Sequence, residues 1–257
     1  MDNWWKRNLT SPIIRFWGQK KETKRFPKAP ILIGGCARTG TSLLLSMLSA
    51  HPYIHAFAHE VDAFTAWKDI EGRTIPLRHD RLYRAMLKDK VSVSARRWCE
   101  KRPANCRFVD EILRFYGAEA RIILLVRDPR AVCTSHHPEN PSAYWVSIDR
   151  WVNDTTATIF HNQKEQVMIV KYEDLVNDSE KQLEAICQFI EEPCSQEISR
   201  WFDNATVREN RAWFGNLQQV KKNSLTKWKE PVHAERIKSI RSDDRVNHLA
   251  IKLGYWQ

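Results

Sequence analysis

A chain of 257 residues that is 42% hydrophobic and 28% charged can build one α/β domain with a substantial core, or one domain with a small appendage. Its 41 Lys plus Arg against 31 Asp plus Glu leave a net charge of +10, a field that favours an anionic ligand without naming it. No C2H2, KH-type or RNP-type motif accompanies that charge, which argues against a nucleic-acid module, and no apolar run approaches the roughly 20 residues of a membrane span.

Residues 1–29 form a basic, aromatic arm closed by Pro27 and Pro30, with Trp4-Trp5-Lys6-Arg7 and Ile13-Ile14-Arg15-Phe16-Trp17. It lacks the parts of a secretory signal and is read as packing on its own domain, with a membrane or partner surface as the other possibility. Ile31-Leu32-Ile33 predicts a buried strand ending in a glycine loop. A helix then begins at Thr41 or Ser42, runs through Leu48, and is stopped by His51-Pro52. Residues 53–103 read as loops and short helices around an acceptor. The spacing of Cys106, Val109, Leu113 and Tyr116 predicts a helix over 105–116, capped by Gly117.

Arg121 to Arg127 is the clearest strand, and Asp128-Pro129 supplies the N-cap and first residue of the helix after it. Val167–Val170 predicts another strand, 179–190 an amphipathic helix, and 234–253 a final helix ending at Gly254. Continuously apolar strands alternating with helices predict a three-layer α/β/α fold with a central parallel sheet, one domain over 30–257. The six cysteines form no CxxC pair and no zinc spacing, and His136-His137 has no nearby ligands. No metal is expected, and the thiols read as mostly buried, in a reducing compartment. The expected location is the cytoplasm.

Gly34-Gly35-Cys36-Ala37-Arg38-Thr39-Gly40-Thr41-Ser42 stands between a strand and a helix, where glycines let backbone N–H groups wrap an anion. It is P-loop-like but departs from GxxxxGK[ST]: Thr41 follows Gly40, and the cation, Arg38, precedes it. The best strand ends in Arg127 where a magnesium-dependent ATPase needs a carboxylate, so a P-loop kinase is disfavoured. Two arginines at one sheet edge suit a ligand with two separated phosphates.

These residues resemble the PAPS-dependent sulfotransferases. PAPS is 3'-phosphoadenosine 5'-phosphosulfate, and PAP is its desulfated product. Gly35 through Ser42, namely Gly35, Cys36, Ala37, Arg38, Thr39, Gly40, Thr41 and Ser42, is similar to the family's 5'-phosphosulfate loop. Arg121 through Ser135 is similar to its 3'-phosphate element, which implies that Arg127 and Ser135 grip that phosphate. Lys171-Tyr172-Glu173-Asp174-Leu175 resembles a third signature, whose tyrosine lies near the nucleotide. The likeness spans about 30–255, nearer to bacterial members than to the protein-tyrosine sulfotransferase branch. It implies sulfuryl transfer from PAPS to a hydroxyl or amine acceptor, a small molecule or glycan, with neither nucleic acid nor an integral membrane anchor.

The resemblance places the base at Glu60, matched through bacterial members, or at His59, matched without a gap to the tyrosine-sulfotransferase branch; Glu60 is preferred. Lys101 falls on a lysine near the transferring sulfonate in that branch, and Arg38 is expected to assist there. Thr226 falls on a serine near the donor phosphates, and Lys222 belongs to a segment that closes the site. Two other readings stay open: a degenerate PAPS- or PAP-binding protein without turnover, and a module for anionic ligands, which would show steep salt dependence without preference for a 3'-phosphate. Tyr144, Trp145 and Trp151 suit an acceptor pocket or a core equally.

Overall fold

The computed structural model describes residues 11–61, 67–68, 74–75, 79–137, 139–210, 215–217 and 222–256. Trp4 and Trp5 of the arm, and parts of the 53–103 segment, lie outside them. Five parallel strands make the sheet: β1 (Ile31–Gly35), β2 (Ile54–Ala56), β3 (Arg97–Lys101), β4 (Arg121–Val126) and β5 (Val167–Lys171), in the order β2-β3-β1-β4-β5. From β1 the chain moves to one side of the sheet for β2 and β3, then crosses to the other for β4 and β5. The switch falls between β1 and β4, where the loops leaving adjacent strand ends diverge and open a crevice.

Successive residues of a strand point to opposite faces, and here both faces are covered. Ile31, Ile33, Ile123, Leu125 and Val170 pack with α2 (Thr41–Leu48), α7 (Tyr172–Asn177) and α8 (Ser179–Phe189). Leu32, Ile122 and Leu124 pack on the other face with α1 (Ser11–Arg25), α3 (His79–Lys88) and α4 (Val109–Tyr116). The three-layer architecture is the expected one. Each buried Ile or Leu contributes about 1.5–3 kcal/mol relative to exposure, so both helical layers are held by the sheet.

A third cluster lies beyond the carboxyl end of β1. Cys36 and Ala37 meet Val132 of α5 (Pro129–Cys133) and Trp151 of α6 (Ile148–Phe160). Ile240 and Val246 close it, from the C-terminal helices Ala234–Arg241 and Asp244–Lys252. Trp151 is fully buried and its Nε1 donates to the Arg127 carbonyl at 3.2 Å, so it belongs to the core and not to an acceptor pocket.

Four boundaries differ from the sequence reading. β2 and β3 fall where loops and short helices are expected. The helix expected over 105–116 begins at Val109, because Pro103–Arg107 forms a separate 3-10 turn carrying Cys106. The final helix is two helices, since Asp243 turns out of the first and accepts from the N–H groups of Arg245 and Val246 to cap the second. The arm contains α1, which docks on α3. Five of the six cysteines are buried and Cys194 is exposed.

Trp151→Phe removes the donor to the Arg127 carbonyl while keeping an aromatic ring. It should lower stability by about 1–3 kcal/mol, the cost of a buried acceptor left unsatisfied, read as a shift in the denaturant midpoint.

Candidate active site at the carboxyl edge of the sheet

The loop after β1 is shaped by positive backbone angles at Gly35 (φ 132°), Arg38 (φ 70°) and Gly40 (φ 96°). A Cβ at Gly40 would stand 2.4 Å from Cδ2 of Tyr172, so a side chain there is barred by contact as well as by φ. Thr39 Oγ1 donates to the Cys36 carbonyl at 2.7 Å and tightens the turn. Thr41 and Ser42 open α2 and are buried, while Cys36 and Ala37 anchor the loop in the third cluster.

Arg127 leaves the end of β4, the strand beside β1, and only 8% of its surface is exposed. Its Nη1 donates to the Arg38 carbonyl at 2.9 Å and its Nη2 to the Ser224 carbonyl at 2.7 Å. Its guanidinium lies over the Tyr172 ring at 3.9 Å. The Tyr172 and Ser224 hydroxyls are hydrogen-bonded at 3.0 Å. Arg38 carries its guanidinium 5.2 Å from the Trp145 ring. Burial first, and then the charge of Arg127, push the Arg38 pKa down to about 10. A buried and a half-buried guanidinium that repel each other make a place where an anion is favoured.

Ser135 stands two residues beyond α5, not within it. Its hydroxyl donates to the Ala131 carbonyl at 2.7 Å, and its carbonyl accepts from the Trp145 N–H at 2.8 Å, which ties it to the residue beside Arg38. Glu173, next to Tyr172, accepts from the Asp128 N–H at 3.0 Å and from the Tyr255 hydroxyl at 3.1 Å. Burial raises its carboxyl above the ordinary value. These bonds lash the helix after β5 to the turn after β4.

On the other side of β1, Lys101 ends β3 and is buried. Its Nζ donates to Glu60 Oε1 at 2.7 Å. Glu60 is exposed, as is His59. His51, in contrast, is structural: its Nδ1 accepts from the Tyr53 N–H at 3.1 Å, so its Nε2 donates to the Pro193 carbonyl at 2.8 Å. Lys222, on the 3-10 turn Lys222–Leu225, and Thr226, just after it, are exposed; that turn enters the site through Ser224 instead. The structure thus gathers the loop, Arg127 and Tyr172 at one place and pairs Lys101 with Glu60 at the next, while His59, Lys222 and Thr226 are not drawn into either group. Adjacent His136 and His137 lie against different rings in tilted contacts, Tyr144 and Trp145. Among the described residues no group of three or more His, Cys, Asp or Glu could hold a metal ion.

The chain is similar to known proteins in sequence and in fold. A model described as the sulfotransferase family fits residues 30–197. The chain belongs to the sulfotransferase family. A Caenorhabditis briggsae protein with a provisional protein-tyrosine sulfotransferase name is 25% identical over 252 residues, covering 88% of each chain. The Drosophila melanogaster protein-tyrosine sulfotransferase is 22% identical over 197 residues, covering 65% of this chain and 39% of that protein. In fold, this sulfotransferase-family chain is similar to the sulfotransferase domain of the Synechococcus PCC 7002 olefin synthase, with a TM-score of 0.60 at 17% identity, covering 91% and 97%. It is also similar to a mouse sulfotransferase solved with PAP, with a TM-score of 0.54 at 13% identity, covering 93% and 94%.

Sequence reasoning missed Glu100, which precedes Lys101 and is fully buried. It accepts from Asn105 Nδ2 at 3.2 Å and from the Val61 N–H at 3.3 Å, beside Glu60; Asn105 Nδ2 also donates to the Ile33 carbonyl at 3.1 Å. Burial raises its pKa to about 7 against the hydrogen bonds that favour the ion. The folded value lies above the ordinary 4.5, so the folded chain keeps a proton that the unfolded chain releases between pH 4.5 and 7. Stability is therefore lost as pH rises through that window, by up to about 3 kcal/mol. Glu100→Gln should lack this loss, so urea titrations of the two proteins should diverge progressively from pH 4.5 to 7 and run parallel above it.

Proposed function

We propose that this chain transfers a sulfuryl group from PAPS to a hydroxyl or amine of a small-molecule or glycan acceptor. The observation that carries the proposal is the alignment of three neighbouring strand ends. Lys101 with Glu60 stands at β3, the glycine loop with Arg38 at β1, and Arg127 at β4. With strands about 4.8 Å apart, the outer two ends lie roughly 10 Å from each other, a span that fits a nucleotide with separate 5' and 3' anionic groups.

In this reading the loop N–H groups, Arg38, Thr41 and Ser42 hold the 5'-phosphosulfate. Arg127 and Ser135 hold the 3'-phosphate, and Tyr172 backs the nucleotide. The acceptor oxygen attacks the sulfur of PAPS. The bond from sulfur to the bridging phosphate oxygen breaks, PAP leaves with that electron pair, and the acceptor proton passes to Glu60. Lys101 is placed to meet charge developing on the departing oxygen. Turning Lys101 toward the sulfonate releases Glu60 from their ion pair, so the base becomes freer when the donor is bound. Lys222 and Thr226 reach the nucleotide only if the 222–226 stretch closes over it. His59 is the alternative base and requires its exposed ring to turn inward.

The six free thiols, five of them buried, support a reducing, cytoplasmic setting. Among the described residues no helix is long and apolar enough to cross a membrane. A tyrosine side chain, the acceptor in the Drosophila relative's name, is the competing acceptor class.

Two measurements test the proposal. Calorimetric titration should show PAP bound more tightly than AMP or ATP, without a requirement for magnesium. Arg127→Ala should lower PAP affinity by about 10- to 100-fold, the range expected for a lost charged hydrogen bond. Equal affinity for PAP and AMP would remove the 3'-phosphate assignment. With labelled PAPS and an acceptor panel that includes a tyrosine peptide, Glu60→Gln should cut kcat by about 10²- to 10⁴-fold with PAP affinity unchanged. Full activity in Glu60→Gln alongside loss in His59→Ala would move the base to His59. PAP binding with no transfer in any variant or in the parent protein would favour the reading without turnover.

A further inference from the structure

The helix α1 has two faces with different chemistry. On the inner face Ile14 packs into the core beneath the sheet and Gly18 lies against Tyr83, leaving no room for a Cβ. One helical turn further on, Glu22 accepts from Trp98 Nε1 at 2.8 Å, and Phe26 beyond the helix end is buried. These positions recur every four residues and fix the helix on the domain.

The outer face is apolar at one end and cationic at the other. Ile13, Phe16 and Trp17 are 57%, 56% and 60% exposed. Lys20 and Lys24 continue the same stripe and are exposed. Positions 13, 17, 20 and 24 follow the i, i+4, i+7, i+11 spacing of a single helical face, about 16 Å long at 1.5 Å per residue. The Lys20 ammonium sits over the Phe16 ring at 4.4 Å and over the Trp17 ring at 5.6 Å. Its charge is therefore held level with the rings and not projected away from them. The helix sequence holds five basic residues and one acid, and that acid, Glu22, is turned inward. Upstream, the sequence Trp4-Trp5-Lys6-Arg7 continues the same composition.

We propose that this face of α1 docks on an anionic phospholipid surface, with Ile13, Phe16 and Trp17 entering the headgroup region and Lys20 and Lys24 meeting lipid phosphates and carboxylates. The pairing of aromatic anchors with lysines on one stripe is the composition of interfacial helices. A second copy of this chain is disfavoured as occupant, because pairing would bring together two chains that each carry a net charge of +10. A nucleic acid would use the lysines but leave Ile13 and Phe16 without an apolar partner. The inference stands on α1 alone and is independent of the sulfuryl-transfer reading. It places the enzyme at a membrane without requiring a span.

The test is co-sedimentation of the full chain with vesicles of phosphatidylcholine alone and of phosphatidylcholine with phosphatidylserine. The chain should bind the second kind, and binding should weaken as salt is added. Phe16→Ser with Trp17→Ser, and separately Lys20→Glu with Lys24→Glu, should each weaken binding about tenfold or more. A charge-matched control, Lys181→Glu with Lys238→Glu, changes two exposed lysines elsewhere and should bind as the parent does. Thermal midpoints and PAP titrations of all three variants should match the parent, since the altered side chains are exposed and distant from the sheet edge. Failure to bind phosphatidylserine vesicles would overturn the proposal, as would an equal loss in the control variant, which would assign binding to bulk charge. A concentration-dependent dimer that the Trp17 change abolishes, without vesicle binding, would assign the face to self-association.

Discussion

The site depends on one interaction, the clamp that Arg127 makes across three separate stretches of chain. Its guanidinium is bonded to the carbonyls of Arg38 and Ser224 and rests on the Tyr172 ring. Those partners lie 89 and 97 residues away for the two carbonyls, so a single side chain closes the loop after β1, the end of β5 and the C-terminal segment onto one point. Such a clamp orders the backbone that would face a phosphate before any ligand arrives, and preorganisation of this kind spares the ligand the cost of assembling its own site. Gly40 belongs to the same device, because its missing Cβ is what lets the loop touch Tyr172.

The electrostatics of the edge follow from the clamp. Bringing Arg127 to the Arg38 carbonyl also brings two guanidiniums near each other, and burial first, then the charge of Arg127, lower the Arg38 value. Across β1 the arrangement is opposite in kind. Lys101 is paired with Glu60, and Glu100 behind them is held by N–H donors from Asn105 and Val61. One half of the crevice therefore carries cationic groups that favour an anion, and the other carries an acid–base pair already in balance. In the proposed reaction, a donor with its negative charge over β1 and β4 and its reactive end toward β3 would use both halves.

How much of this could be read from the sequence depended on how each element hides its charges. β1, β4 and β5 were legible because their apolar runs are continuous. β3 was not: Arg97-Trp98-Cys99-Glu100-Lys101 carries three charged residues and looks like a surface segment. It is buried because each charge has a partner from distant sequence: Glu192 for Arg97, the Val61 N–H for Glu100 and Glu60 for Lys101. Periodicity carries no record of such pairings. The helix Ile148–Phe160 did leave a local signal, Ser147 three residues before Arg150, whose N–H its hydroxyl accepts at 3.1 Å. The aromatics around it suit a pocket and a core equally, and only the burial of Trp151 decides for the core. For the site, glycines and strand-end arginines announce themselves, whereas Ser224 is an ordinary serine in a 3-10 turn until the fold sets it against Tyr172.

The pairing of Lys101 with Glu60 also constrains the order of events in the proposed reaction. The Glu60 carboxylate is already engaged by the Lys101 ammonium, so a base role for Glu60 would require that ion pair to open first. A bound sulfonate offers Lys101 a second anion, and a lysine on its flexible stem can turn between the two, which a rigid guanidinium fork could not do as readily. Donor binding would then switch on the base, and an acceptor arriving first would meet a carboxylate still neutralised by its partner. The fold supports this choice of residue, since Lys101 sits at the very end of β3, where the backbone is fixed by the sheet and only the side chain is free to move.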